Sequence, residues 1–144
     1  MVEPDTIKLL RECDAGVRMG VASIADVEKK VKNQEFKEKL MRSKHEHETL
    51  GLELDGMLKE YKDDGKEPNP IAKGMSWIKT NVKLGLNDSD KTVASLMTDG
   101  CDMGVKSLSR YLNQYAAADE RSKDICKRLI AIEERLCEDI REYL

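Results

Sequence analysis

The stretch FKEKLMRSKHEHETLGLEL, residues 36–54, places its large apolar side chains three and four positions apart. That spacing puts them on one face of an α-helix, and the pattern continues to Tyr61. His47 projects from the centre of the apolar face, whereas His45 projects from the opposite, charged side. We therefore predict a helix over about 34–62, capped by Asn33, with His47 in the protein interior and His45 in solvent.

The same spacing predicts helices on both sides of this one. Long helices cover about 5–32, 89–116 and 121–144, and a shorter helix covers about 70–85. Prolines, glycines and asparagines border the shorter helix. Because no segment has the alternating pattern of a β-strand, the sequence predicts an all-α protein.

Four long amphipathic helices cannot bury their apolar faces singly, so they must pack against one another. The short links after the first and third of them make each neighbouring pair an antiparallel hairpin. The connection between the hairpins, about 63–88, is too long for a tight turn. We expect one domain, 1–144, folded as an antiparallel four-helix bundle of two hairpins with a long crossover that carries the short extra helix.

The charges of the chain are numerous but balanced. Its 25 Lys and Arg residues stand against 28 Asp and Glu residues, for a net charge of −3. A surface of mixed sign does not favour a phosphate backbone, so nucleic acid is not an expected partner. No stretch reaches the roughly 18 consecutive apolar residues that a membrane helix requires, and the N-terminus lacks a signal-peptide pattern. We expect a cytoplasmic protein without membrane contact.

The four cysteines are Cys13, Cys101, Cys126 and Cys137. They form no Cys-x-x-Cys pair, so the sequence predicts neither a zinc ribbon nor a redox dithiol. Buried free thiols are the expected state in a reducing compartment.

Four elements of the sequence resemble the ferritin-like superfamily. They are LLRECDAGVRMGVASI in the first helix, FKEKLMRSKHEHETLGLEL in the second, PIAKGMSWIKTNVKLGLNDSD in the crossover and LMTDGCDMGVKSLSRYL in the next long helix. The resemblance covers most of the chain and is greatest to small, uncharacterised bacterial four-helix bundles distantly related to rubrerythrin. It implies a ferritin-like arrangement of the hairpins. In the metal-binding branches it also implies a carboxylate on each helix that opens a hairpin and Glu-x-x-His on the next, together holding two irons.

The ligand set implied by this resemblance is incomplete here. Asp14 stands where the first carboxylate belongs, but Lys44 precedes His47 by three residues, at the place of the glutamate. A cation at that place opposes a bound metal ion. In the second hairpin, Glu133 is followed three residues later by Leu136 instead of histidine. The usual two-iron centre cannot be assembled, so any metal site would be non-standard.

Polar side chains nevertheless point into the predicted core. Glu133 lies near the middle of the apolar face of the last helix, and Glu28 lies near that of the first. Because a buried ionisable group is costly unless paired, we expect Asp14, His47 and Glu133 to contact one another or water. A buried polar network is the favoured interpretation. The alternatives are a metal site, which would suit iron, manganese or zinc, and a site for acid–base chemistry or a small ligand.

Gly100 and Gly104, followed by Ser107, place small residues on an interior helix face. Such residues allow close helix approach or leave a cavity, and close approach is the expected outcome. Several methionines at helical spacing could line an adaptable pocket, but they are more simply explained as core filling.

Two functions of different class are compatible with the sequence. The first is a non-catalytic ferritin-like bundle with a degenerate two-iron site that acts by self-association or by binding a protein partner, with Trp77 of the crossover as an anchor. The second is a metal-binding oxidoreductase, or a protein that handles peroxide or iron, with a non-standard site of Asp14, His47 and Glu133. The sequence identifies no catalytic residue and requires no cofactor.

Overall fold

The computed structural model describes residues 2–61 and 89–144. They form the helices α1 (Pro4–Glu28), α2 (Gln34–Glu60), α3 (Asp90–Gln114) and α4 (Glu120–Ile140), followed by a 3₁₀ turn at Arg141–Tyr143. These residues contain no β-strand, so the all-α prediction is confirmed for the part of the chain that the structure describes. The helix predicted at about 70–85, with Trp77, lies outside that part.

Local chemistry fixes where each helix begins. Pro4 occupies the first turn of α1, where its missing N–H group is not needed. The side chains of Asn33, Ser89 and Asp119 accept hydrogen bonds from backbone N–H groups three residues ahead, at 2.9, 3.2 and 2.8 Å. Asn33 therefore caps α2 as predicted. The first helix ends at Glu28, earlier than the predicted limit of about 32, because the backbone already turns toward α2 there.

Hydrogen bonds tie each hairpin turn to an opposite helix. The N–H groups of Lys32 and Asn33 each donate to the carboxylate of Asp90, at the start of α3, over 2.8 Å. At the other end of the bundle, the N–H group of Asp119 donates to Thr6 Oγ1 over 2.8 Å. The end of α1 therefore meets the start of α3, and the two helices are antiparallel.

A ladder of ion pairs sets the register between α2 and α4. Its four oppositely charged pairs, seven residues apart on both helices, are Glu60 with Arg121, Glu53 with Arg128, Glu46 with Arg135 and Lys39 with Glu142. The nitrogen–oxygen distances in the first three pairs are 3.0, 2.7 and 2.9 Å. Residue numbers fall along one helix as they rise along the other, so α2 and α4 are also antiparallel.

Two apolar clusters fill the bundle, one toward each end. The first includes Leu10, Leu54, Leu108 and Leu129. The second includes Ile24, Leu40, Met97 and Leu136. Between them each helix contributes one residue to a different kind of layer, which consists of Gly20, His47, Gly104 and Glu133. This polar layer lies between the two apolar clusters and holds the buried ionisable pair of His47 and Glu133.

The residues on either side of segment 62–88, Tyr61 and Ser89, lie at opposite ends of the bundle. Tyr61 Oη donates to Asp119 over 2.9 Å, so α2 ends beside the α3–α4 turn. By contrast, α3 begins beside the α1–α2 turn. The chain thus leaves the described region at one end of the bundle and re-enters it at the other. None of the described helices is long and apolar enough to cross a membrane.

Candidate functional site

The polar layer is built around a buried ion pair between α2 and α4. His47 is fully buried and Glu133 is 8% exposed, so both point inward as the helical projection predicts, while His45 is exposed. The Nε2 atom of His47 lies 2.9 Å from Glu133 Oε1. Its Nδ1 atom lies 2.7 Å from the backbone oxygen of Ser43, one turn earlier on α2. Both ring nitrogens therefore have oxygen partners.

These two contacts favour the charged form of His47. The Ser43 carbonyl can only accept a hydrogen bond, so Nδ1 carries a proton, and an ionised Glu133 requires a proton on Nε2 as well. Burial acts to lower the pKa of His47, but the hydrogen bond and the charge of Glu133 outweigh it and the pKa is raised. The contacts thus stabilise the imidazolium–carboxylate form of the His47–Glu133 pair, in which each charge balances the other.

Glycine on α1 provides the space for this pair. A Cβ atom at Gly20 would lie 2.7 Å from both Cδ2 and Nε2 of His47, closer than such atoms can approach. Gly104 of α3 faces the other partner, where a Cβ atom would lie 3.5 Å from the Glu133 carboxyl carbon, an ordinary contact. The imidazole ring therefore requires glycine at position 20, whereas position 104 has room for a methyl group.

A cleft opens between α1 and α3 above the ion pair. It encloses about 260 Å³ and is named here the α1–α3 cleft. Its small wall residues are Ala15, Gly16, Gly20, Gly100 and Gly104. Its larger apolar residues include Met19, Ile24, Leu96, Met97, Leu108 and Leu136. The expectation that Gly100 and Gly104 allow close helix packing is therefore wrong: their missing side chains leave open volume, because the opposing face of α1 is itself lined by small residues.

The cleft is lined by more negatively charged groups than positively charged ones. Glu12 and Glu133 contribute carboxylates, and His47 contributes the balancing positive charge. Lys and Arg are not among the described residues that line the cleft. Hydroxyl groups come from Ser23, Ser107 and Tyr111. The cleft is thus mostly apolar, with a neutral ion pair on its floor and a further carboxylate on its wall.

Asp14 does not join His47 and Glu133. Its carboxylate lies 3.2 Å from Arg18 on the same helix, and burial raises its pKa. Residues that line the cleft from α1 lie one and two positions further along, at Ala15 and Gly16, so Asp14 projects to one side of them. Of the three predicted site residues, the structure brings two together.

Metal ligands do not converge in the described part of the chain. No group of three or more His, Cys, Asp or Glu side chains there is placed to hold a metal ion. Glu28, also predicted to point inward, instead pairs with Lys44 over 3.3 Å on α2. Lys44, which stands at the place of the glutamate in the metal-binding pattern, therefore forms an ion pair of its own.

All four cysteines are free and buried, as predicted. Cys101 lines the cleft, and burial together with the charge of Glu133 raises the pKa of its thiol strongly. Cys137 donates to Asp102 Oδ1 over 3.4 Å, and burial raises its pKa also. Protonated thiols are weak nucleophiles and poor metal ligands, so these side chains act here as small core residues.

Sequence reasoning missed the α1 wall of the cleft. A signal for it is present, because Gly16 and Gly20 on α1 repeat the four-residue spacing of Gly100 and Gly104 on α3. Comparison with known proteins adds no relative: the chain matches no model of a protein family, no curated protein and no solved structure.

Proposed function

We propose that this protein is a non-catalytic, ferritin-like bundle that binds a small molecule in the α1–α3 cleft. The observation that carries the proposal is the cleft itself, about 260 Å³ of mostly apolar space above the buried pair of His47 and Glu133. That volume is close to the lower end of the roughly 300–1,000 Å³ typical of small-molecule sites. A few polar groups on an apolar wall are also typical of such sites.

The stability cost of the cleft supports a functional role. Glycine in a helix is less favourable than alanine by about 1 kcal/mol, and atoms that line an unfilled space lose packing contacts. Four glycines line the cleft on facing helices, and the His47 ring explains the one at position 20. Local features that lower stability without a structural benefit occur most often at functional sites. At position 104, where a methyl group fits, steric need does not explain the glycine.

The arrangement of the helices supports the ferritin-like part of the proposal. In that fold, two antiparallel hairpins are joined by one connection that runs the length of the bundle. Here both α1 with α3 and α2 with α4 are antiparallel, and residues 61 and 89 lie at opposite ends. A tight connection between the hairpins would bring those residues to the same end.

The state of the polar side chains supports binding over catalysis. Both nitrogens of His47 are engaged, so the ring has no free lone pair to act as a general base. The raised pKa of Cys101 keeps its thiol protonated and weakly nucleophilic. The sequence also allows self-association or partner binding through Trp77, or a Trp77 that merely covers the bundle, but that residue lies outside the described part, so the proposal is built on the cleft.

Fluorescence of the neutral apolar probe N-phenyl-1-naphthylamine tests this function on the full chain. We expect saturable binding with enhanced emission, because the probe enters an apolar site. Gly104→Leu should weaken binding by about tenfold or more, since the new side chain occupies the cleft. Gly56→Leu is the matched control, because a Cβ atom there meets nothing within 4 Å. Equal affinity of both variants, or no saturable binding by the wild type, would exclude the cleft as the site.

A further inference from the structure

The charges that line the α1–α3 cleft indicate which charge its ligand should carry. This inference rests on the proposed function. On the floor, the positive charge of His47 is directed at Glu133, 2.9 Å away, and the pair is close to neutral as a unit. Glu12 is the remaining ionisable carboxylate of the cleft wall. Since Lys and Arg are not among the lining residues in the described chain, an anionic ligand would meet a carboxylate without a basic partner there.

An aromatic ring accompanies Glu12. Tyr111 of α3 also lines the cleft and stacks on Tyr115, with ring centroids 6.1 Å apart. Burial and, next, the charge of Glu12 raise the pKa of the Tyr111 hydroxyl, so the phenol stays protonated beside the carboxylate on the same cleft wall. A carboxylate beside an aromatic ring attracts an ammonium group through its charge and through the negative face of the ring.

The cleft continues from this end toward the polar layer. Glu12 and Gly20 are eight positions apart on α1, which corresponds to about 12 Å along the helix. Between them the wall consists of Ala15, Gly16 and Met19. An extended apolar chain of that length would fill the cleft, and the flexible methionine side chain can adjust to its shape.

We propose that the α1–α3 cleft selects molecules with an apolar body and a protonated amino group, which binds at Glu12 and Tyr111. Neutral molecules with the same body bind more weakly because they leave the Glu12 charge unmatched. Anionic molecules bind most weakly because the two carboxylates repel.

Competition against N-phenyl-1-naphthylamine with octylamine, 1-octanol and octanoate at pH 7 tests this selectivity. The three competitors share an apolar chain and differ in the charge of the head group. We expect octylamine to displace the probe at a concentration about tenfold lower than 1-octanol, with octanoate weaker still. The preference for octylamine should decrease in high salt, because the charge pair is partly exposed.

Glu12→Gln should remove most of the preference of octylamine over 1-octanol and leave the affinity for 1-octanol unchanged. Glu48→Gln is the matched control, since it changes the net charge equally at an exposed position of α2 away from the cleft. Circular dichroism checks that both variants are folded.

The outcomes separate this inference from the proposed function. If the probe binds in a Gly104-sensitive manner but all three competitors act equally, the cleft binds ligands without selecting amines, and only the inference is overturned. The inference is also overturned if Glu12→Gln keeps the full preference. If the probe does not bind, or binds equally well to Gly104→Leu, both the proposed function and the inference fail.

Discussion

At the scale of single residues, the site depends on one buried pair and the glycine beside it. His47 and Glu133 are buried, and both ring nitrogens of His47 have an oxygen partner, Glu133 Oε1 or the Ser43 carbonyl. Removing one member of such a pair leaves an uncompensated charge in the core, and for this reason single substitutions are costly. Gly20 belongs to the same unit, because no other residue leaves space for the imidazole ring.

The stability of the protein should depend on pH through His47. Its pKa is raised on folding, so its contribution is fully present below the unfolded value of about 6.5 and is lost as pH rises through the folded pKa. Urea unfolding at a series of pH values from 5.5 to about 9 should therefore show a decline in the free energy of unfolding over that range. His47→Gln should remove this part of the decline.

His45→Gln provides the matched control for that experiment. His45 is exposed on the opposite side of the same helix, so its substitution should leave the pH profile unchanged. If the wild type and His47→Gln had parallel profiles, the imidazolium–carboxylate pair would not be the source of the dependence.

Alanine substitutions at glycine should have opposite effects at different sites. Gly56→Ala in α2 should stabilise the protein by up to about 1 kcal/mol, because the new methyl group meets open space and alanine favours the helix. Gly20→Ala gains the same helix preference but places its methyl group 2.7 Å from the His47 ring. We expect net destabilisation of about 1–3 kcal/mol, as for other overpacked cores. Urea denaturation of the two variants measures this contrast, and a stabilised Gly20→Ala variant would contradict it.

At the scale of helices, the ladder between α2 and α4 places His47 opposite Glu133. The reversed pair of Lys39 and Glu142 adds specificity to the register. If α2 shifted by seven residues along α4 in one direction, Lys39 would face Arg135. A shift by seven residues in the other direction would place Glu46 opposite Glu142. Each shift therefore creates a like-charge contact, which disfavours it.

A double-mutant cycle on one ion pair of the ladder measures how much that pair stabilises the fold. Glu53 and Arg128 form a two-point contact at 2.7 and 2.9 Å, but both side chains are more than 40% exposed. We expect a coupling energy of only about 0.2–1 kcal/mol between Glu53→Ala and Arg128→Ala, reduced further at high salt. The unpaired combination of Glu53→Ala with Arg135→Ala should be additive. A coupling energy of several kcal/mol would show that these surface pairs dominate the helix packing.

At the scale of the whole described bundle, residues 2–61 and 89–144, two apolar clusters flank the polar layer and the α1–α3 cleft. The apolar side chains of the two clusters hold the helices together. The layer between them can therefore contain polar side chains. The interior of the described bundle therefore combines two apolar clusters with a cavity of about 260 Å³.

Only two of the three predicted metal ligands, His47 and Glu133, lie together, so we expect little bound metal. Protein purified without chelator should contain less than about a tenth of an equivalent of any transition metal, because most bound ions require three or more protein ligands and residues 2–61 and 89–144 bring no such group together. Elemental analysis of the wild type and of His47→Ala should give the same low value. A stoichiometric metal that is lost in His47→Ala would instead support the alternative of a metal-dependent protein.

Sequence periodicity predicted the four described helices and their buried faces, and residue type predicted the Asn33 cap of α2. Apolar spacing at positions such as Leu40, Leu50 and Leu54 depends only on the geometry of one helix, and so the inward orientation of His47 and Glu133 followed without a structure. The burial of the four cysteines followed from residue type, because a free cysteine behaves as a small apolar side chain.

Tertiary structure alone decided which inward groups meet. Asp14 lies near an apolar face by projection, but it precedes the layer residue Gly20 by six positions, about 9 Å along α1, and its carboxylate pairs with Arg18. The cleft could not be derived either, because small residues predict close packing and open space equally well until the distance between α1 and α3 is known. That distance is set by side chains on all the surrounding helices, so no single segment encodes it.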